Sequence, residues 1–368
     1  MPIEPFFAPL TVRAIRATPV EVPLTFVLGT SMGAVCKAPL LLIDLETAEG
    51  VTGRSYLFCY LPAAAPAIVS LLGEIETLTR NQRLDPPALW AKLATRFTLI
   101  GVQGIVRMAM SGFDVAAWDA LAIAAQMPLA KFIGAEPRSI PAYNSCGLGL
   151  MDKVALADEA EKLLQGGFSA VKLRLGYPTL SEDIAAVNAV RSRISDGVHL
   201  MVDYNQALGV DEALERGRAL DAENIYWLEE PIRHDDYTGA AKLARELKTP
   251  IQIGENFSEP AAMEVALSQN AADYVMPDLE RIGGITGWRK AAALAAEKRV
   301  QMSSHLFPEV SAHLLAATPT CHYLEFVDWA NVLVQQPLRI KDGNAVPNET
   351  PGNGLVWDAQ SVARHRMR

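Results

Sequence analysis

Asp203, Glu229 and Glu255 recur at an equal interval of 26 residues, each closing a short apolar run: HLMVDYN, IYWLEEP and IQIGEN. If each run is a strand, the three carboxylates stand at the ends of neighbours about 4.8 Å apart and can converge on one cation. An all-oxygen ligand set selects a hard ion, which points to Mg²⁺ with Mn²⁺ as a substitute. In the run AVKLRLGYP, Lys172 and Arg174 alternate with apolar residues, so both cations project to the same side. His305 closes the run VQMSSHL, and Asp278 closes YVMPDL one run earlier. That order sets Asp278 to hold the tautomer of His305, the support a general base needs. Asn205 adds an amide beside Asp203, and Ser145 and Glu325 add a hydroxyl and an acid at further strand ends.

The elements that carry these residues alternate with regularity. Beyond residue 138 the short apolar runs SIPAYNS, AVKLRLG, HLMVDYN, IYWLEEP, IQIGEN, YVMPDL, VQMSSHL and YLEFVD are separated mainly by helical segments such as EDIAAVNAVRSRI. Eight such strands predict an α/β fold, a modified (β/α)8 barrel with compressed last units. Barrel enzymes place their chemistry at the C-terminal strand ends, where these polar residues fall. A mouth holding several acids, two cations and a His repels itself unless a ligand or metal organises it. Residues 10–60 read as strands and 64–137 as helices, an α+β capping domain. The expected division is 1–138 for the capping domain, 139–329 for the barrel, and 330–368 for a tail. That tail, with the Asp-Gly turn of PLRIKDGNAV, is expected to pack back on the capping domain.

Composition narrows the partners. A net charge of -9 argues against nucleic acid and anionic membranes. No apolar run reaches the roughly 18 residues of a membrane span, and MPIEPFFAPL lacks the features of a signal peptide. Cys36, Cys59, Cys146 and Cys321 are scattered without metal-binding spacing, as expected of reduced thiols in a cytoplasmic protein. His313 falls in a helical segment and reads as structural. Gly283 and Gly284 read as a tight strand-to-helix turn rather than a phosphate loop.

The motifs MVDYNQ, WLEEP, MPD, RIGGITGW and SSHLFPEVSAHLLAATPT, together with APLLLIDLETAEGVTGRSYLFCY, resemble the mandelate racemase subgroup of the enolase superfamily. The similarity runs from about residue 13 to 357. It implies that Asp203, Glu229 and Glu255 bind Mg²⁺ and that Lys172 faces the substrate carboxylate. Asp278 and His305 match the family's dyad, and Glu325 matches an acid that, in its protonated form, hydrogen-bonds the developing enolate. Ser145 and Asn205 match polar groups around substrate and metal. Leu28, Met32 and Val35 match an apolar pocket-covering loop, and Phe58 and Tyr60 its aromatic neighbours. The resemblance also implies a homo-oligomer built from dimers, up to an octamer, acting on a small carboxylate. The reaction implied is abstraction of the proton α to that carboxylate. The charge that develops is stabilised more in the transition state than in the ground state.

One position departs from the pattern. The subgroup's second lysine, one of two bases on opposite faces of the substrate, is replaced by Arg174. A guanidinium stays protonated and is a poor base. Racemisation or epimerisation of a 2-hydroxy acid, with Arg174 as a weakened second base, is the first reading. Dehydration of an acid sugar with His305 as the only base is the second, and there Arg174 binds a substrate group. A binding-only, inactive barrel is the remote third. An apolar cover suits a hydrophobic 2-hydroxy acid better than a polyhydroxy one.

Overall fold

The computed structural model describes residues 9–31 and 33–367. The N-terminal third begins with an antiparallel sheet of three strands, β1 (Val12–Thr30), β2 (Gly33–Thr47) and β3 (Thr52–Phe58), in the order β1-β2-β3. Side chains alternate across its pleat. Leu41, Ile43, Leu45 and Leu57 face one way and pack with Ile68, Leu72, Met110 and Phe113 of the following helices. Leu40, Leu42, Tyr56 and Phe58 face the other way and join the core shared with the barrel. The sheet is thus apolar on both faces, and Phe58 falls on the barrel side. The helix Gly104–Ala124 lies so close to β3 that a Cβ on Gly53 would sit 2.0 Å from the Ala116 carbonyl oxygen. Only glycine fits that crossing.

Eight parallel strands follow: β4 (Ile140–Asn144), β5 (Ala170–Arg174), β6 (His199–Asp203), β7 (Ile225–Glu229), β8 (Ile251–Ile253), β9 (Tyr274–Val275), β10 (Gln301–Met302) and β11 (Leu324–Phe326). Each pairs with the next from β4 to β10, and β11 pairs with β4. The Ser304 N–H donates to the Tyr323 carbonyl at 3.0 Å and the His322 N–H to the Met302 carbonyl at 3.0 Å, which joins β10 to β11 and closes the barrel. The last strands are short, as the compressed spacing predicts.

Inside the barrel, period-two alternation stacks an apolar floor beneath a charged layer. Tyr143, Ala170, Met201, Trp227 and Tyr323 form the floor. Two residues further along the same faces of β5, β6 and β7 come Lys172, Asp203 and Glu229. Burial of the floor fixes the register, and the register fixes which charges point inward.

The C-terminal segment divides its contacts. Residues of PLRIKDGNAV form the hairpin β12 (Arg339–Lys341) and β13 (Asn344–Val346). Asp342 and Gly343 take positive φ at its turn. This hairpin does not pair with the capping sheet. Instead β13 pairs antiparallel with the start of β4, where Ala345 faces Ile140, ahead of the residues that β4 uses for β11. The chain then returns to the capping sheet: the Asn353 side-chain amide donates to the Arg54 carbonyl at 2.9 Å, and the Trp357 indole donates to Asp44 at 3.0 Å. No helix among the described residues is long and apolar enough to cross a membrane.

Candidate active site

Asp203 and Glu229 are the last residues of β6 and β7, and Glu255 lies just beyond β8. Their carboxylates each present an oxygen within 4.8 Å of the others. Asn205 steadies the first of them: its backbone N–H donates to Asp203 Oδ1 at 2.8 Å and its side-chain amide to Oδ2 at 3.0 Å. Asn205 Oδ1 is itself buried without a partner. Burial pushes the Glu229 carboxyl well above its ordinary range, opposed by Lys172 and reinforced by Asp203, Glu325 and Glu255. Glu230, buried behind Glu255, is pushed up to about 8 by burial and by that neighbour. Carboxylates crowded in this way are short of positive charge, and the oxygen donors fit a hard divalent cation.

Lys172 is fully enclosed in this cluster. Its Nζ stands 2.5 Å from Glu229, 2.9 Å from Glu325 and 3.3 Å from Asp203. Burial alone would lower its pKa, but the acids Glu229 and Glu325 outweigh it and hold the ammonium well above its ordinary value. Glu325, in the middle of β11, accepts from Ser145 Oγ at 2.7 Å and from the Leu306 N–H at 2.9 Å. Burial opposes its ionisation, yet Lys172, His305 and the Leu306 N–H keep the carboxyl well below the usual carboxylate range. Both oxygens of Glu325 therefore accept hydrogen bonds in this arrangement, from Ser145 and from the Leu306 N–H.

The His-Asp dyad is assembled across β9 and β10. His305 Nδ1 stands 2.6 Å from Asp278 Oδ2, and Nε2 lies 3.2 Å from Glu255. Asp278 Oδ1 accepts from the backbone N–H groups of Glu280 and Arg281, so the same carboxylate caps the turn Leu279–Ile282. Burial would push the imidazole down, but Glu255, Glu325 and Asp278 outweigh it and raise its pKa to about 9.

Arg174 ends β5 on the inner face. One terminal nitrogen donates to the carbonyls of Gly147 at 2.7 Å and Ser145 at 3.1 Å, and the other to Ser145 Oγ at 2.7 Å. No described carboxylate lies within ion-pair distance of it. Ser145, expected beside the substrate, is fully buried; its hydroxyl joins Arg174 to Glu325 from behind.

A cavity of about 280 Å³ opens over these groups. Lys172, Arg174, Asp203, Asn205, Glu255, His305 and Glu325 reach it, and Leu28, Val35, Phe58 and Tyr60 supply its capping wall. Leu28 pairs with Val35 across β1 and β2, so the apolar cover is the tip of that hairpin. Met32 lies outside the described residues. Sequence reasoning missed Arg281, Trp329 and Gln206, which also line the cavity. The signal for Arg281 was present: it stands three residues after Asp278, on the loop side of the same strand.

With this geometry in view, comparisons place the chain among known proteins. Residues 12–134 match the mandelate racemase / muconate lactonizing enzyme N-terminal domain, and residues 155–361 match the enolase C-terminal domain-like family. An enolase from alpha-proteobacterium BAL199, crystallised with Mg, is 41% identical over 97% of this chain and 100% of its own, with a TM-score of 0.95. An enolase from Bradyrhizobium complexed with magnesium and mandelic acid is 36% identical over 98% of this chain and 99% of its own, with a TM-score of 0.94. The L-talarate/galactarate dehydratase of Salmonella typhimurium is 32% identical over 326 residues, 88% of this chain and 81% of the relative.

Proposed function

The chain belongs to the mandelate racemase/muconate lactonizing enzyme family of the enolase superfamily, and from that premise we propose that it dehydrates a 2,3-dihydroxy carboxylic acid with His305 as its one base. Mg²⁺-dependent abstraction of the proton α to a carboxylate is the chemistry of the superfamily. The observation that carries the one-base reading is the fixation of Arg174. Both terminal nitrogens of its guanidinium are held by two backbone carbonyls and the Ser145 hydroxyl, and a guanidinium, which keeps its proton, is a poor base.

Asp203, Glu229 and Glu255 would hold Mg²⁺, which when bound supplies positive charge to the substrate carboxylate and to the enolate that forms from it. Lys172 directs its ammonium to the same carboxylate. His305, with Asp278 accepting from Nδ1, takes the α proton on Nε2 in its neutral form, which is favoured once Mg²⁺ held by Glu255 offsets the negative charge that raises the imidazole. The resulting imidazolium then returns that proton to the departing β-hydroxyl. The β carbon–oxygen bond breaks, water leaves, and the enol product tautomerises to a 2-keto acid. Glu325 holds Lys172 and Ser145 in place throughout.

A second reading, racemisation of a hydrophobic 2-hydroxy acid, is favoured by one observation: Leu28, Val35, Phe58 and Trp329 make an apolar wall to the cavity. The Bradyrhizobium enolase complexed with mandelic acid is in keeping with it. Incubation of the Mg²⁺-loaded enzyme with panels of both acid classes in D₂O separates the readings. Formation of a 2-keto acid with deuterium exchange at one face supports dehydration. Exchange into both enantiomers of a 2-hydroxy acid, without loss of water, overturns it.

A further inference from the structure

Arg174 is held by a loop, and the loop is held by a carboxylate on its other side. Residues 145–148 leave β4 and wrap the end of β5. The guanidinium donates to the carbonyls of Ser145 and Gly147, and the Arg174 backbone N–H donates to the Leu148 carbonyl at 2.9 Å. The Leu148 N–H points the opposite way and donates to Oε1 of Glu159, on the helix Lys153–Leu163. The Gly147 carbonyl and the Leu148 N–H belong to one planar peptide group. That single unit therefore joins a carboxylate to a guanidinium, with its N–H on the anion and its oxygen on the cation.

Two features show that this contact is built into the loop. Leu148 takes a φ of +53°, a left-handed conformation that costs a leucine free energy and persists only where its surroundings over-determine it. Both of its backbone groups and its fully buried side chain do so. Gly147 is the second feature: a Cβ there would stand 2.1 Å from Glu159 Oε1 and 3.3 Å from Phe26 Cβ of the cap. Any side chain at 147 would push the carboxylate away from the peptide.

The charges explain what the arrangement does. Arg174 is buried, lines the cavity, and has no described carboxylate within ion-pair distance. Glu159 is half-buried; burial raises its pKa, opposed by the Leu148 N–H, by Lys162 and by Arg174. An anion in direct contact would occupy the guanidinium's donors and cancel its field in the cavity. One peptide away, it instead polarises the carbonyl that Arg174 grips and leaves the cation's field on the cavity side.

We propose that Glu159 is a positioning residue for Arg174: acting through the Gly147–Leu148 peptide, it fixes the guanidinium as an oriented cation against which an anionic or polar substrate group binds. The inference rests on the reading above only for the role of that cation in turnover. The clamp itself is a property of the protein alone.

The first test needs no substrate. Thermal midpoints are compared at one protein concentration for wild type, Glu159→Ala, Arg174→Met and the double variant. The loss caused by Glu159→Ala should fall to about half or less in the Arg174→Met background, because the two residues act on one peptide. Equal losses in both backgrounds would overturn the proposal. The second test uses the Mg²⁺-loaded enzyme with the panel acid, of the 2,3-dihydroxy or the 2-hydroxy class, that wild type turns over fastest. Glu159→Ala should raise KM by about tenfold with kcat changed less than about threefold. Glu159→Gln, which keeps an acceptor for the Leu148 N–H but not the charge, should recover part of that loss. Coupling in the first test without turnover of either acid class upholds the clamp and overturns the proposed reaction. Turnover with KM unchanged in Glu159→Ala overturns the assignment of Glu159.

Discussion

Asp278 Oδ2 stands 2.6 Å from His305 Nδ1, while Oδ1 of the same carboxylate caps the N–H groups of Glu280 and Arg281. The division of one carboxylate between a helical turn and an imidazole fixes the direction of both. The cap holds the carboxylate against rotation, and the carboxylate holds the Nδ1–H tautomer that leaves Nε2 facing the cavity, 3.2 Å from Glu255. Asp278→Asn keeps an oxygen for the cap but presents an amide to His305. The variant should fold normally and lose α-proton exchange by about 10²-fold or more. Exchange at the wild-type rate, measured by NMR in D₂O, would show that the dyad is not the base.

Glu229→Gln tests the cation site. Glu229 is fully buried between Lys172 and the other two acids, and an amide there removes one of three charges. Mg²⁺ affinity by calorimetry should fall by about 10-fold or more, and turnover should disappear with the circular dichroism spectrum unchanged. Chelation of wild type should have the same effect on turnover. Full activity after exhaustive chelation would refute the requirement.

Arg174→Lys tests the one-base reading. An ammonium on a flexible stem cannot reproduce three hydrogen bonds to Ser145 and Gly147, and a lysine among other cations can lose its proton near neutral pH. The expected outcome is the appearance of deuterium exchange at the second face of the substrate, absent from wild type. Equal exchange at both faces in wild type would mean that Arg174 already transfers protons.

His313 gives the protein a defined acid sensitivity. It is fully buried in the helix Pro308–Ala316, its Nδ1 accepts from the Ala130 N–H at 3.3 Å, and burial pushes its pKa down to about 4. Between pH 6.5 and about 4 the unfolded chain binds this proton and the folded protein does not, so stability falls as the pH is lowered through that window. The loss from this residue is on the order of 3 kcal/mol. Denaturation midpoints of wild type and His313→Gln at pH 7 and pH 4.5 should converge at the lower pH. A constant difference between them would refute the assignment.

The sequence by itself determined the eight-strand alternation and the inward placement of Lys172, Arg174, Asp203 and Glu229. It also determined the order in which Asp278 and His305 come together. All of these depend on period-two alternation and even spacing, which are local properties of the chain. It did not determine where PLRIKDGNAV would dock, because a hairpin edge pairs with whichever strand leaves its backbone groups free, and that is settled by how β4 meets β11. Nor could it give the partners of Glu325 or the burial of Ser145, since both follow from which groups approach from β4, β5 and the loop after β10. Arg281 shows the limit most clearly. Its identity was legible, but its stack on Tyr60, more than two hundred residues earlier in the chain, exists only once the cap has closed over the barrel. Side-chain charge is written in the sequence, whereas the desolvation and partners that give a charge its function are set by residues distant along the chain.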